Sequence, residues 1–297
     1  MRRNPESPGL RPYLVMWLLL LAACCALAQP GRPDEDARQT ILRSANRDQS
    51  DLEARRKDYT YLMRTEQHSL DSSGRAGKTE SETYEVLILY GRPFQRLIEK
   101  NGKPLSPGEE RKQRQKMDKE VARRKNETAE QKEKRFREEN KGLRQQREIL
   151  EEVADAFDFH VLGEEEVDGF ATWVIQAEPK PGYQPRSRQT KILRNFRGKL
   201  WITEDDYRWV KVEAEVVRPI SLGLVLARLN PGTTLAFEQR RVQREIWMPS
   251  QVRIRIVGRL ALLKKFNAEV LVTYSDYRKF QADSRITGTM EVTPSPP

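Results

Sequence analysis

The chain has 297 residues and carries 54 Lys or Arg against 44 Asp or Glu, a net charge of +10. Two histidines about 90 positions apart, His68 and His160, do not compose a His-rich metal centre and read as strand residues. The only cysteines, Cys24 and Cys25, lie near the start, so the rest of the chain has no thiol for a disulfide, a redox pair or a thiolate metal site.

Residues 1–28 read as a signal peptide. Arg2, Arg3 and Arg11 form a basic start, "YLVMWLLLLAA" an apolar run, and Ala26-Leu27-Ala28 a small-residue cleavage pattern before Gln29. The run is short for a bilayer span, and no other long apolar run follows. A second cut is open: Leu21-Ala22-Ala23-Cys24 resembles a lipobox, in which Cys24 would be lipidated. Either way the chain is expected to be exported to the periplasm, free or anchored to the envelope. After the cut before Gln29 it carries about +8, and its roughly 270 residues suffice to bury a core.

Residues 34–57 read as a polar helix with one apolar face, Ala37, Ile41, Leu42, Ala45 and Leu52. From Tyr59 the pattern is that of strands: "YTYLMRTEQHS" and "SETYEVLILYG", a turn at Gly91-Arg92-Pro93, then "FQRLIEK" running into the hairpin turn Asn101-Gly102. Ser106-Pro107-Gly108-Glu109 is a capping box that opens one long inserted helix, 107–157. From Pro107 to Glu148 it holds 15 basic and 10 acidic residues. Apolar residues recur once in seven, too sparse for a coiled coil, until Ile149, Leu150, Val153 and Phe157 widen the stripe into a docking end. The segment suits a solvated helix laced with i,i+4 ion pairs, or a basic arm touching anionic lipid headgroups. Interspersed acids and export argue against nucleic acid.

Strands return after Phe157. A pair turns at Val167-Asp168-Gly169, "PKPGYQPRSR" is a loop, and "KILRNFRGKLWI", "YRWVKVEAEVV", "ISLGLVLARL", "TTLAFEQRRVQREIWMP", "SQVRIRIVG" and "NAEVLVTYSDYRKF" follow. The expectation is one domain, 29–283, with a disordered tail, 284–297. Its fold class is α+β: ten or eleven antiparallel strands in a strongly curved sheet, an N-terminal helix and the inserted helix.

No nucleophile elbow, P-loop or His-Glu-x-x-His occurs. Glu164-Glu165-Glu166 and Glu204-Asp205-Asp206 fall at expected turns, where acids are ordinarily solvated. The chain is therefore not read as an enzyme, and no catalytic residue, cofactor or metal is expected.

The strands do carry a two-sided pattern. Val210, Val212, Ala214 and Val216 alternate with Trp209, Lys211, Glu213 and Glu215, and Val252, Ile254 and Ile256 with Arg253 and Arg255. A curled sheet with one apolar face needs a cover, and a mostly polar helix supplies little. The apolar face is either packed core or the wall of a cavity for lipid chains. The candidate wall is Val86, Ile88, Trp173, Ile175, Leu200, Ile202, Val210, Val212, Leu235, Phe237, Val252, Ile254, Ile256, Val270 and Val272. Trp201 and Trp247 are also read as wall residues.

"FRGKLWITEDDYRWVKVEAEV", then "FEQRRVQREIWMPSQVRIR" with its Trp-x-Pro, then "YSDYRKF", resemble the LolA-like superfamily of outer-membrane lipoprotein-sorting proteins. "NGKPLSPGEE" before a charged helix is similar to an exported branch of it common in acidobacteria. The likeness covers residues 34–283. It implies an incomplete antiparallel β-barrel closed by helices, with a hydrophobic cavity for lipoprotein acyl chains. It also implies a cavity arginine on an early strand, for which Arg64 is the candidate. The carriers lack the 107–157 insertion and are soluble, whereas a lipobox would suggest an anchored acceptor. The implied function is lipid or lipoprotein binding, with acyl chains or lipoproteins as partners and an anionic membrane surface reached through 107–157. The alternative is a non-enzymatic envelope interaction or assembly module with a filled core.

Overall fold

The structure, a computed structural model, describes residues 36–45, 47, 58–71, 75–187, 190–222, 227–260 and 264–279. The signal segment, Cys24, both cleavage points, Leu52 and the tail lie outside the described residues. Residues 36–45 form helix α1. Strands β1 (Tyr59–Leu70), β2 (Ala76–Leu89), β3 (Arg92–Lys100) and β4 (Lys103–Pro104) follow. Helices α2 (Pro107–Lys125) and α3 (Ala129–Ala156) come next. Then come β5 (Phe157–Val167), β6 (Phe170–Pro179), a 3-10 turn (Thr190–Asn195), β7 (Phe196–Thr203) and β8 (Trp209–Val216). The short β9 (Ile220–Leu222) and β10 (Ala227–Leu229) precede β11 (Thr234–Val242), β12 (Ile246–Leu260) and β13 (Lys264–Lys279).

Among the described residues all strands join one 13-stranded sheet in the order β4-β3-β2-β1-β13-β12-β11-β8-β7-β6-β5, with β9 and β10 attached beside β12. The fold class is the expected one, an open, curved antiparallel sheet with helices. The surplus over ten or eleven strands consists of short pieces: β4 has two residues, β9 and β10 three each.

The order explains the helices. The chain meanders from β1 out to the β4 edge, and α2 and α3 carry it to the opposite edge, β5. From there it meanders back until β13 pairs with β1. Eleven strands laid flat would span about 48 Å. Helices of 19 and 28 residues reach about 28 and 42 Å. The charged segment is thus the span that joins the two edges.

That segment is two helices, not the one expected. Thr128 caps α3: its Oγ1 accepts from the Gln131 amide at 3.2 Å, and Gln131 Oε1 accepts from the Thr128 amide at 3.0 Å. This second capping box satisfies donors that a new helix start leaves open. The corner is latched to the sheet. Arg124, 9% exposed, donates to the carbonyls of Leu89 at 2.7 Å, Arg92 at 2.8 Å and Pro93 at 3.1 Å. Glu127 accepts from Arg135 Nε and Nη2 at 2.9 and 3.1 Å. Arg124→Ala should lower stability by about 2 kcal/mol, because it strips charged donors from one buried and two part-buried carbonyls; a denaturant melt checks this. Elsewhere the helices carry the expected ion pairs, Arg123–Glu120 at 2.6 Å and Arg137–Glu133 at 2.8 Å. Exposed pairs of this kind contribute only a few tenths of a kcal/mol each, up to about 1.

Three hairpin turns place a residue in the left-handed region followed by glycine: Tyr90-Gly91, Asn101-Gly102 and Asp168-Gly169. The last two match expectation. The first sits one residue before Gly91-Arg92-Pro93, and Arg92 and Pro93 belong to β3. "TTLAFEQRRVQREIWMP" is not one strand. It breaks at Gln243 to Glu245, and Pro249 continues inside β12. Proline is tolerated there because a β-bulge shifts the register beside it, between Glu238 and Gln239.

The main core lies over β5–β8. Ala37 and Ile41 of α1 and Ala154 and Ala156 of α3 pack on Phe157, Phe159, Ile175, Ala177, Leu200 and Ile202. The widened apolar stripe at the end of α3 docks as expected, with Ile149 and Val153 against this cluster.

Candidate functional site: one apolar face, half covered

The register assembles the apolar alternation of separate strands into continuous rows. One row runs Val161, Ile175, Leu200, Val212, Phe237, Val252, Val272 and Thr65. The next runs Phe159, Ala177, Gly198, Ala214, Leu235, Ile254, Val270 and Gln67. Gly198 has a steric reason: a Cβ there would stand 2.4 Å from the Glu213 carbonyl oxygen, so β7 and β8 approach too closely for a side chain.

The two halves of this face differ in cover. Ile175, Leu200, Ile202 and Val210 are buried, and Trp173 and Val212 pack against the same cluster. All of these but Val210 belong to that cluster or pack on it, and are floor beneath α1 and α3. Val86 and Ile88 are also buried, at the far end of β2. Leu235, Phe237, Val252, Ile254, Ile256, Val270 and Val272 are each only partly buried. They form a contiguous apolar surface across β11, β12 and β13.

The opposite face is charged. Its row Gln176, Lys199, Glu213, Ala236, Arg253 and Leu271 runs across the same strands. A groove of about 660 Å³ is lined by these strands, with Lys199, Glu213 and Arg253 among its side chains. Arg64 belongs to this face. It aligns with Thr83 and Thr273, and donates to Glu66 Oε1 and Glu99 Oε1, each at 2.7 Å. Its hydrogen bond to Glu66 raises its already high pKa. The expected cavity arginine is therefore turned away from the apolar rows.

One tryptophan also leaves the wall. Trp201 pairs across β7 and β8 with Lys211, whose ammonium lies 4.4 Å from the ring centroid, and its Nε1 donates to Glu165 at 2.8 Å. Trp247 packs on Phe170. Glu164 to Glu166 lie in β5 and not in a turn. Glu204 to Asp206 do form a turn, but Asp206 is no ordinary solvated acid. Burial pushes its carboxyl upward, and hydrogen bonds from Thr203 and from Trp247 Nε1 (2.9 Å), with Arg208 nearby, outweigh that and hold it low. His68 and His160 are strand residues, in β1 and β5.

Among the described residues no helix is long and apolar enough to cross a membrane, and no three His, Cys, Asp or Glu side chains gather as metal ligands.

No protein-family model and no curated protein sequence matches the chain. Among solved structures it is similar to a DUF1329 family protein from Desulfovibrio piger, with 12% identity, a TM-score of 0.32, and 88% of this chain and 96% of that chain covered. It is similar to a LolA superfamily protein from Nitrosomonas europaea, with 12% identity, a TM-score of 0.26, and 82% and 94% covered. A third is an outer membrane lipoprotein-sorting protein domain from Vibrio parahaemolyticus, with 13% identity, a TM-score of 0.26, and 83% and 95% covered.

Proposed function

We propose that the chain is an exported, non-enzymatic protein of the bacterial envelope that binds lipid or lipoprotein acyl chains on the uncovered half of its apolar face. One observation carries this. The rows through Leu235, Ile254 and Val270, and through Phe237, Val252 and Val272, continue the buried core rows, yet among the described residues α1 and α3 cover only the β5–β8 end. A surface of Val, Ile, Leu and Phe gains about 0.8 kcal/mol for each methylene it takes out of water. An acyl chain laid along Val252, Ile254 and Ile256 would meet no charge from β12, since Arg253 and Arg255 point to the other face. The superfamily resemblance of the strand motifs and the export signal point the same way. The exposed basic side chains of α2 and α3 would lie along anionic headgroups during transfer.

The test is a titration with a fluorescent fatty acid. Saturable binding is expected, weakened at least about tenfold in Val270→Glu, because a carboxylate on the wall would have to be desolvated beneath the chain. Absence of saturable binding to the folded wild-type chain would reject the proposal in favour of a face that contacts protein.

A further inference from the structure

Three hairpin ends meet at Trp247, which is 2% exposed. Its ring packs on Phe170, just after the β5–β6 turn, with centroids 4.8 Å apart. Its Nε1 donates to Asp206 in the β7–β8 turn at 2.9 Å. Its own hairpin, β11–β12, places Arg241 directly opposite it. At this junction lies an open pocket of about 760 Å³, lined by Asp168, Phe170, Arg240, Arg241 and Arg244.

Three arginines and one aspartate contribute to its lining. Arg240 donates Nη2 to the Tyr274 carbonyl at 3.0 Å, which anchors one edge of its fork. Arg241 and Arg244 have no ion-pair partner among the described residues. Other arginines of the sheet do pair with acids, as at Arg96–Glu85 and at Arg197–Glu215. The turn beneath the pocket is also unusual. Gln243 and Arg244 stand at φ 51° and 60°, both in the left-handed region. The three turns described above put glycine second. A side chain in that conformation costs about 1 kcal/mol or more. Strain kept at such a point suggests that the arginine side chain itself is used.

We propose that the Arg240, Arg241 and Arg244 pocket binds a phosphate group. Guanidinium forks offer paired N–H donors to phosphate oxygens, and an anion of about −1.5 to −2 matches a pocket with net charge about +2. The ring of Phe170 provides one apolar wall. The phosphate is either free or the headgroup of a lipid. The site is built from other residues than the apolar rows and does not rest on the acyl-chain proposal.

The test uses calorimetric titration with inorganic phosphate and with glycerol phosphate at fixed ionic strength, and flotation with phosphatidylcholine vesicles with and without phosphatidylglycerol. Wild type should bind, and Arg241→Ala/Arg244→Gly should bind at least about tenfold more weakly. The glycine suits the turn, so that variant should melt no lower at position 244. A variant of equal charge change away from both the pocket and the helices, at the exposed Arg194 and Arg218, Arg194→Ala/Arg218→Ala, should bind like wild type. Binding of the soluble anions identifies free phosphate as sufficient; binding only to phosphatidylglycerol vesicles identifies a headgroup. No binding in either format overturns the proposal. So does undiminished binding by the pocket variant, or an equal loss in the Arg194→Ala/Arg218→Ala variant, which would reduce the effect to net charge.

Discussion

Ile202→Glu is expected not to fold, whereas Ile254→Glu is expected to fold and to lose its acyl chains. Both residues lie in strands whose alternation is apolar on one face, and nothing in the local sequence separates them. The cover does. Ile202 is 0% exposed beneath α1 and the end of α3, within the main cluster. An unpaired carboxylate buried there, with the lost packing, costs roughly 5 kcal/mol or more. That is comparable to the whole stability of a domain, about 5–15 kcal/mol. Ile254 sits between Leu235 and Val270 on the partly exposed half, where a glutamate can reach water. Circular dichroism melts of both variants check the first part, and fatty-acid titration of Ile254→Glu the second. Equal loss of folding in both would mean that the β11–β13 half is as tightly packed as the β5–β8 half.

Glu152→Ala is expected to cost about 3 kcal/mol, the second largest effect, by loosening the seat of α3. Glu152 is 1% exposed. It accepts from the Tyr183 hydroxyl and, at 2.7 Å, from the Arg186 amide. Asp155, one turn on, takes Arg38 of α1 at 2.8 Å, and Arg186. Two acids thus tie α3 to α1 and to the loop before the 3-10 turn. Burial pushes the Glu152 carboxyl upward, but the bonds from Tyr183, Arg186 and Thr190 outweigh it and leave its pKa lowered. Burial, with Glu152 beside it, pushes the Tyr183 hydroxyl up to about 12. The sign follows: a carboxyl with a lowered folded pKa stabilises fully above its unfolded value, about 4.3, and loses this as pH falls through the folded value. Wild type should therefore lose more stability than Glu152→Ala on acidification below about pH 4. Denaturant midpoints for both proteins across that range read the difference, and parallel curves would contradict it.

The features legible in the sequence were those with local causes. The alternation of Val252, Ile254 and Ile256 set one face of β12, and Asn101-Gly102 and Asp168-Gly169 marked turns that only small or Asx residues enter cheaply. The Ser106 capping box opened α2 where expected. Thr128-x-x-Gln131 carried the same signal for α3, but it stood inside a run of charged residues whose sevenfold periodicity concealed it. The β11–β12 turn was misplaced because Gln243 and Arg244 lack a turn signature, while Pro249, a usual strand breaker, rides on a bulge. Trp201 left the wall for a pairwise reason, Lys211 and Glu165 on the charged face, that no single-strand pattern contains. Which wall residues would be floor and which open depended on where α1 and α3 land, a long-range outcome of the edge-to-edge crossing.

The most direct measurement is mass spectrometry of lipids extracted from the protein, expressed with its own signal segment and purified from periplasm or membrane. The account predicts acyl chains in about stoichiometric amount, carried by the wild type and lost in a folded Ile254→Glu. A well-folded wild-type protein that carries no lipid would contradict it and leave the β11–β13 face as a surface for another protein.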